Sequence, residues 1–186
     1  MKEGGETSRE RVEYAYRLIT SRKPKPIVAQ ILTSAFNEEF ENYKNNTISV
    51  VCILKGSLLF TSDLIREIDL QMNVEFLRVA SYKGDKRKSV KLNSPIDFDI
   101  KGRDVLIVED IVDSGNTINY IVNELRKHSP NSIKISTLLF KPSVYNFDMK
   151  IDWIGFNIKD DFVVGYGLDY NGIYRNKKSV YKLSNE

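Results

Sequence analysis

The short apolar run at residues 105–108 and the polar residues behind it constrain the fold more than any other stretch of the chain. A run this short and rich in β-branched residues is typical of a strand buried on both faces. Glu109 and Asp110 follow it directly, Asp113 adds a third carboxylate, and the small polar residues 114–117 come next. We therefore predict a central parallel strand that ends at the two adjacent carboxylates.

The polar residues lead into a helix with one apolar face. Thr117 suits its N-terminal cap, and the basic residues before Pro130 suit its end. Positions three and four apart carry Ile118, Ile121, Val122 and Leu125. Ligands of open α/β sheets bind beyond the carboxyl ends of the strands, and a glycine-containing turn before a helix is suited to phosphate. Carboxylates beside such a turn favour a sugar phosphate with Mg²⁺, although a solvated acidic turn would explain the Glu-Asp pair alone.

The same strand, glycine turn and helix order occurs earlier, where a strand over 48–54 leads through Lys55 and Gly56 into a helix over 58–68. As a signal for a second anion-binding loop, this pattern alone is weak. Disorder is predicted for residues 1–7, and the polar segment 81–93 is predicted to be a flexible loop. Further helices are predicted over 8–19 and 27–43, and strands over 74–80, 133–140, 151–156 and 162–167.

Composition excludes several classes of protein. The 186 residues suit one domain, and a net charge of +3 is too small to argue for nucleic acid. Cys52 and His128 are the single residues of their types, which argues against thiolate metal sites, intramolecular disulfides and histidine-based triads. No apolar stretch approaches the length of a membrane span. We expect a cytoplasmic protein without membrane or nucleic-acid partners.

Residues 105–117, with the pattern VLIVEDIVDSGNT, resemble the phosphoribosyl-diphosphate (PRPP) binding motif of type I phosphoribosyltransferases, in particular their hypoxanthine-guanine branch. Residues 54–57, 81–82 and 162–176 are similar to further motifs in the family's order. The resemblance spans roughly residues 48–176. It implies a twisted, mostly parallel sheet flanked by helices, with a small hood subdomain from about 1–25 and 150–186 of a single domain.

The resemblance also implies roles for the central motif. Glu109 and Asp110 would hold the ribose hydroxyls directly or through Mg²⁺, and Asp113 would be the general acid or base near N7 of the purine. The 5′-phosphate would bind to Ser114, Gly115, Asn116 and Thr117. Asn116 departs from the lysine or leucine expected there, which the position tolerates because it mainly offers its backbone N–H.

Other motifs imply the remaining parts of a PRPP site. Lys55 and Gly56 resemble the pyrophosphate-binding loop, in which the peptide bond before the lysine is often cis. Arg175 would contact pyrophosphate, and Asp169 would coordinate the Mg²⁺ that accompanies it. Ser81 and Tyr82 resemble the start of a flexible catalytic loop.

The purine site is implied by residues from two later segments. Lys141 resembles the lysine that donates to the 6-oxo group, Phe162 would stack on the base, and the backbone of Val163 would pair with its edge. Asp169 would also lie near the purine 2-position. Without the resemblance, the alternatives are that Phe162 lies in the core and that Lys141 is a solvated residue at the end of a strand.

Together these features predict a Mg²⁺-dependent enzyme that transfers phosphoribose from PRPP to a 6-oxopurine, in a homodimer or homotetramer. A phosphoribosyltransferase for another base is one alternative, and Lys141 with Phe162 argues against a pyrimidine. A PRPP-sensing regulator that binds RNA is the other. It would need a concentrated basic face, whereas the charges here are dispersed along the chain.

Overall fold

The computed structural model of the chain describes residues 43, 46–82 and 89–183. Several predicted elements therefore lie outside the described residues. They are the disordered segment 1–7, the helices over 8–19 and 27–43 apart from Tyr43, the hood's first part over 1–25, and residues 83–88 of the flexible loop.

Six strands form one sheet in the order β3-β2-β1-β4-β5-β6. The strands are β1 (Ile48–Leu54), β2 (Met72–Tyr82), β3 (Ser89–Leu92), β4 (Asp104–Val112), β5 (Ser132–Phe140) and β6 (Trp153–Asn157). Neighbouring strands are parallel except for the antiparallel pair β2 and β3. The predicted mostly parallel α/β sheet is confirmed.

Helix α1 (Leu58–Ile65) and helix α2 (Asn116–Arg126) cover opposite faces of this sheet. Leu106 and Val108 of β4 pack in one core with α1, while Val105 and Ile107 pack in a second core with α2. Alternate residues of a strand point to opposite faces, so both faces of β4 are buried. This arrangement confirms the prediction made from the apolar run.

Two predictions about β4 and α2 were wrong in detail. β4 does not end at the carboxylates but continues to Val112, because its ladder with β5 extends to the pair Val112 and Phe140. Helix α2 begins at Asn116, so Thr117 lies inside it. Its N-terminal cap is Gly115, which has a left-handed backbone with φ of 87° and provides no side-chain cap.

The chain's last described segment forms a second, two-stranded sheet from β7 (Val163–Val164) and β8 (Tyr181–Lys182). The strand predicted over 162–167 is shorter than expected because Gly165 and Leu168 pair with each other in a tight turn. β2, in contrast, is longer than predicted, and Ser81 and Tyr82 are its last residues in the ladder with β3. Within the described residues, neither helix is long and apolar enough to cross a membrane.

Candidate active site

Glu109 lies in the buried interior at the point where β4 leaves β1. It is 6 % exposed, and its Oε1 accepts a hydrogen bond from the backbone N–H of Asp110 at 3.2 Å. Its Oε2 is buried and has no hydrogen-bond partner among the described residues. Burial raises the pKa of Glu109 well above the usual glutamate value, and the neighbouring charge of Asp110 raises it further. Such an oxygen can accept a hydrogen bond from a ligand hydroxyl or coordinate a cation.

Gly56 lies between the side chain of Asp110 and the backbone at Gly167. A Cβ atom added at Gly56 would overlap the Asp110 carboxylate, and one added at Gly167 would overlap the Gly56 carbonyl oxygen. The peptide bond from Leu54 to Lys55 is cis, as the resemblance implies. Three motifs that are far apart in sequence therefore meet at one residue without a side chain.

The turn between β4 and α2 has the form of a phosphate cradle. Gly115 adopts its left-handed conformation under two aromatic rings, and a Cβ atom there would lie 2.5 Å from Tyr145 and 2.7 Å from Phe147. The side-chain amide of Asn116 donates a hydrogen bond to the Ser114 hydroxyl at 2.9 Å. The first turn of α2 contains no acidic residue. The positive end of the helix is thus available to an anion.

A cleft runs along this turn and has two adjoining parts. The first part is lined by Leu54, Gly56, Glu109 and the continuous residues 110–118. The second part is lined by Lys141, residues 161–163 and residues 168–169. Both parts include Asp110, Ile111 and Asp113, so Asp113 lies where they meet. Lys55, which is exposed, and Arg175 line neither part.

The second part combines a buried cation with an exposed aromatic ring. The side chain of Lys141 is 8 % exposed, and its Nζ lies 2.9 Å from Asp160 and 3.8 Å from Asp113. Phe162 is 52 % exposed and packs edge-on against Tyr170, with the ring centroids 5.7 Å apart. A ring this exposed can stack on a flat ligand.

Asp169 is held by its own loop. It forms an ion pair with Arg175 at 2.5 Å and accepts a hydrogen bond from the N–H of Gly172 at 2.7 Å. Arg175 also donates to the carbonyl oxygen of Gly167 at 2.6 Å. Within the part of the chain that the structure describes, no three acidic, histidine or cysteine residues form a metal-binding group. Glu109, Asp110 and Asp169 therefore do not form one such group in the described structure.

Two contacts near the cleft were missed at the sequence level. Asp160 pairs with Lys141 but stands in a polar turn, where a carboxylate carries no signal of a site. The hydroxyl of buried Tyr166 donates a hydrogen bond to Asp63 on α1. This bond holds the 165–169 turn beside the loop at Gly56. The two glycines that flank Tyr166 were the available signal for a tight turn.

Comparisons with known proteins identify the family of this chain. Residues 20–171 match the family model of the phosphoribosyl transferase domain. The chain therefore belongs to the phosphoribosyltransferase family. It is 43% identical over 157 residues to the hypoxanthine-guanine phosphoribosyltransferase of Bacillus subtilis (83% of each chain). It is 42% identical over 147 residues to the hypoxanthine phosphoribosyltransferase of Salmonella typhimurium (77% of this chain and 83% of the relative).

Solved structures give the same result. The structure of a hypoxanthine phosphoribosyltransferase from Staphylococcus aureus is similar, with a TM-score of 0.77 and 36% identity. That match covers 85% of this chain and 87% of the other. Within the family, this chain is thus similar to enzymes whose names specify hypoxanthine or hypoxanthine and guanine.

Gly167→Ala should damage the contact between the two loops. The substitution combines a strained backbone, with φ of 102°, and an overlap with the Gly56 carbonyl oxygen. Gly102→Ala is the matched control, because Gly102 has φ of 68° but open space around it. We expect the control to lose about 1–2 kcal/mol of unfolding free energy and Gly167→Ala to lose clearly more, as measured by urea unfolding. Equal losses would contradict the close contact.

Glu109→Gln should change how stability depends on pH in protein kept free of metal by a chelator. Because burial raises the pKa of Glu109 in the folded state, its contribution to stability is full below the usual glutamate pKa of 4.5 and is lost as pH rises from there through the folded pKa. The glutamine does not titrate. The variant should gain stability over the wild type as pH rises, by at most about 1.4 kcal/mol per pH unit. Urea unfolding between pH 5 and 8 measures this, and a constant difference would disprove it.

Proposed function

We propose that the chain transfers the 5-phosphoribosyl group of PRPP to a 6-oxopurine and releases pyrophosphate. Hypoxanthine and guanine are the expected bases, giving IMP and GMP, and xanthine is a third candidate. The observation that carries this proposal is the two-part cleft whose parts meet at Asp110, Ile111 and Asp113. One part ends at a helix N-terminus suited to phosphate, and the other contains a buried lysine and an exposed ring suited to a base. The new glycosidic bond would form at their junction.

The first part would bind the phosphoribosyl group. Residues 114–117 would hold the 5′-phosphate through backbone N–H groups at the start of α2. Glu109 and Asp110 would accept hydrogen bonds from the ribose hydroxyls. As pyrophosphate leaves, positive charge develops at C1 of the ribose, and carboxylates already in place stabilise it without reorganising. The negative charge of the acidic pair would therefore stabilise the positive charge that develops on the ribose.

Pyrophosphate would lie at the rim of this part. The loop at Lys55 and Gly56 would contact pyrophosphate through its backbone, while the space left by the missing side chain of Gly56 is occupied by the Asp110 carboxylate. Lys55 and Arg175 supply the positive charge, from outside the cleft lining. Arg175 is paired with Asp169 in the described structure, so contact with pyrophosphate would require this pair to share or exchange partners.

The residues present fit Mg²⁺. Its preferred ligands are oxygens, and the buried Oε2 of Glu109 lacks a partner within the described residues. Glu109 and Asp110 would hold the ribose hydroxyls directly or through Mg²⁺, and Asp169 would hold the Mg²⁺ that accompanies pyrophosphate. When bound, Mg²⁺ neutralises charge on the departing pyrophosphate.

The second part would orient the base. Lys141 would donate to the 6-oxo group, Phe162 would stack on the ring, and the backbone of Val163 would pair with the purine edge. Asp169 would lie near the purine 2-position. Asp113, exposed at the junction, would take or give the proton at N7 as the base attacks C1.

We extend the proposal to the whole chain as a single domain. The hood would combine residues 1–25 with residues 150–186. In the predicted loop over 81–93, Ser81 and Tyr82 end strand β2 and residues 89–92 form β3, so the part between these strands would close over the reacting groups and exclude water. A homodimer or homotetramer in the cytoplasm is expected. The buried thiol of Cys52, which forms no disulfide, supports a reducing compartment.

An ultraviolet assay tests the proposed reaction. Purified protein with Mg²⁺ and PRPP is offered hypoxanthine, guanine, xanthine, adenine and uracil separately. Conversion of 6-oxopurines alone is the expected result. Conversion of uracil would indicate a pyrimidine enzyme, and PRPP binding without turnover of any base would favour the regulator.

Asp113→Ala should lower kcat by about two to four orders of magnitude, the usual range for losing acid or base catalysis. The fold should be unaffected because the Asp113 side chain is 54 % exposed. Asp97→Ala removes an exposed carboxylate elsewhere and serves as the control. Initial rates at saturating substrate measure the effect, and near-normal turnover would rule out the proposed role.

Phe162→Ala should weaken binding of the base more than binding of PRPP, because the ring contacts the base alone. The control is Phe156→Ala, which removes a similarly exposed phenylalanine from β6. KM values for hypoxanthine and PRPP measure both effects. An equal rise of the two KM values would count against a stacking surface.

A further inference from the structure

We infer that Asp160 is a positioning residue that holds the Lys141 ammonium in place for recognition of the 6-oxo group. This inference rests on the proposed function and names a determinant of its base specificity. Asp160 lies in the turn between β6 and β7, 19 residues after Lys141. Its carboxylate acts through Lys141 rather than on the base itself.

Two carboxylates lie near the Lys141 ammonium, and their distances from it show that they act on it differently. Asp160 Oδ1 accepts a hydrogen bond from the Lys141 Nζ at 2.9 Å. Asp113 Oδ2 lies 3.8 Å from the same nitrogen, which permits attraction but is too long for a hydrogen bond. Asp160 therefore sets the direction of the ammonium, and Asp113 adds only charge. One of the three N–H donors is committed to Asp160, which leaves others for a ligand.

The turn that carries Asp160 is itself fixed at both ends. The N–H of Ile158 donates to the carbonyl oxygen of Phe140 at 2.8 Å, next to Lys141 in the chain. Asp161 forms an ion pair with Lys182 of β8 at 2.7 Å. Asp160 thus lies in a turn that is held at both ends by these contacts, two residues before the exposed ring of Phe162. One short segment holds both the anchor of the lysine and the proposed stacking surface.

Holding Lys141 before the base arrives lowers the cost of binding. A lysine side chain has several rotatable bonds, and ordering them at the moment of binding would cost affinity. Without Asp160, the carboxylate that remains within 4 Å among the described residues is Asp113. The ammonium would then move toward the group proposed to carry the N7 proton and away from the 6-oxo group.

Titration calorimetry with two ligands tests the inference. IMP contains the 6-oxopurine and PRPP does not, and both are titrated in the presence of Mg²⁺. Asp160→Ala should weaken IMP binding about threefold to tenfold, the limited range expected because the Asp160 side chain is 59 % exposed. PRPP binding should stay unchanged. Asp160→Glu, which keeps the carboxylate, should restore most of the IMP affinity.

Lys182→Met is the matched control for the turn. It removes the neighbouring ion pair with Asp161 and leaves Asp160 and Lys141 untouched. IMP binding should be close to that of the wild type. A loss as large as that of Asp160→Ala would attribute the effect to the turn and overturn the inference.

A double-mutant cycle with Lys141→Met separates positioning from general structure. If Asp160 acts through Lys141, Asp160→Ala should have no further effect on IMP binding in the Lys141→Met background. The same loss in both backgrounds would overturn the inference, as would tighter IMP binding by Asp160→Ala alone, which would make Asp160 a competitor of the base.

The same experiment distinguishes failure of the inference from failure of the proposed function. A wild-type protein that does not bind IMP would refute the proposed function and this inference with it. A wild type that binds IMP as tightly as Asp160→Ala does would refute only the role of Asp160.

Discussion

The cleft exists because β4 continues beyond the end of its pairing with β1. The ladder between β1 and β4 ends at the pair Cys52 and Val108, whereas the ladder between β4 and β5 continues to Val112 and Phe140. Residues 109–112 therefore have a strand on one side only. The strand order also reverses here, with β2 beyond β1 and β5 beyond β4, and open α/β sheets bind ligands at such points. The phosphate turn, the Gly56 loop and the base site all surround this gap.

The same gap explains the electrostatics of the site. Glu109 stands at its buried end with one oxygen unpartnered among the described residues and a raised pKa, an arrangement that costs stability in the free protein. Perturbed carboxyl groups of this kind concentrate at functional sites. A ribose hydroxyl, a magnesium ion or a developing positive charge would each offset the cost. The fold thus keeps an unfavourable group where the proposed ligand supplies its partner.

Sequence patterns predicted the strands and the helix faces better than their ends. The apolar run at 105–108 predicted a strand buried on both faces, and the helical spacing from Ile118 to Leu125 predicted the buried face of α2. The end of β4 and the cap of α2 were predicted wrongly. A strand ends where its partner strand ends, and β5 continues beside it to Phe140, 28 residues further along the chain. A periodicity within β4 contains no information about that partner.

The sequence by itself determined the chemistry available to this protein: two carboxylates near the end of one strand, a third carboxylate and a glycine turn after it, a lysine after another strand, and an aromatic residue before a glycine-rich turn. Only the tertiary structure decided which of these groups meet, by placing Gly56 between Asp110 and Gly167 and by pairing Lys141 with Asp160. The reason is physical. Periodicity and turn preferences act over a few neighbouring residues, whereas contacts between distant residues depend on strand register and on where each strand stops.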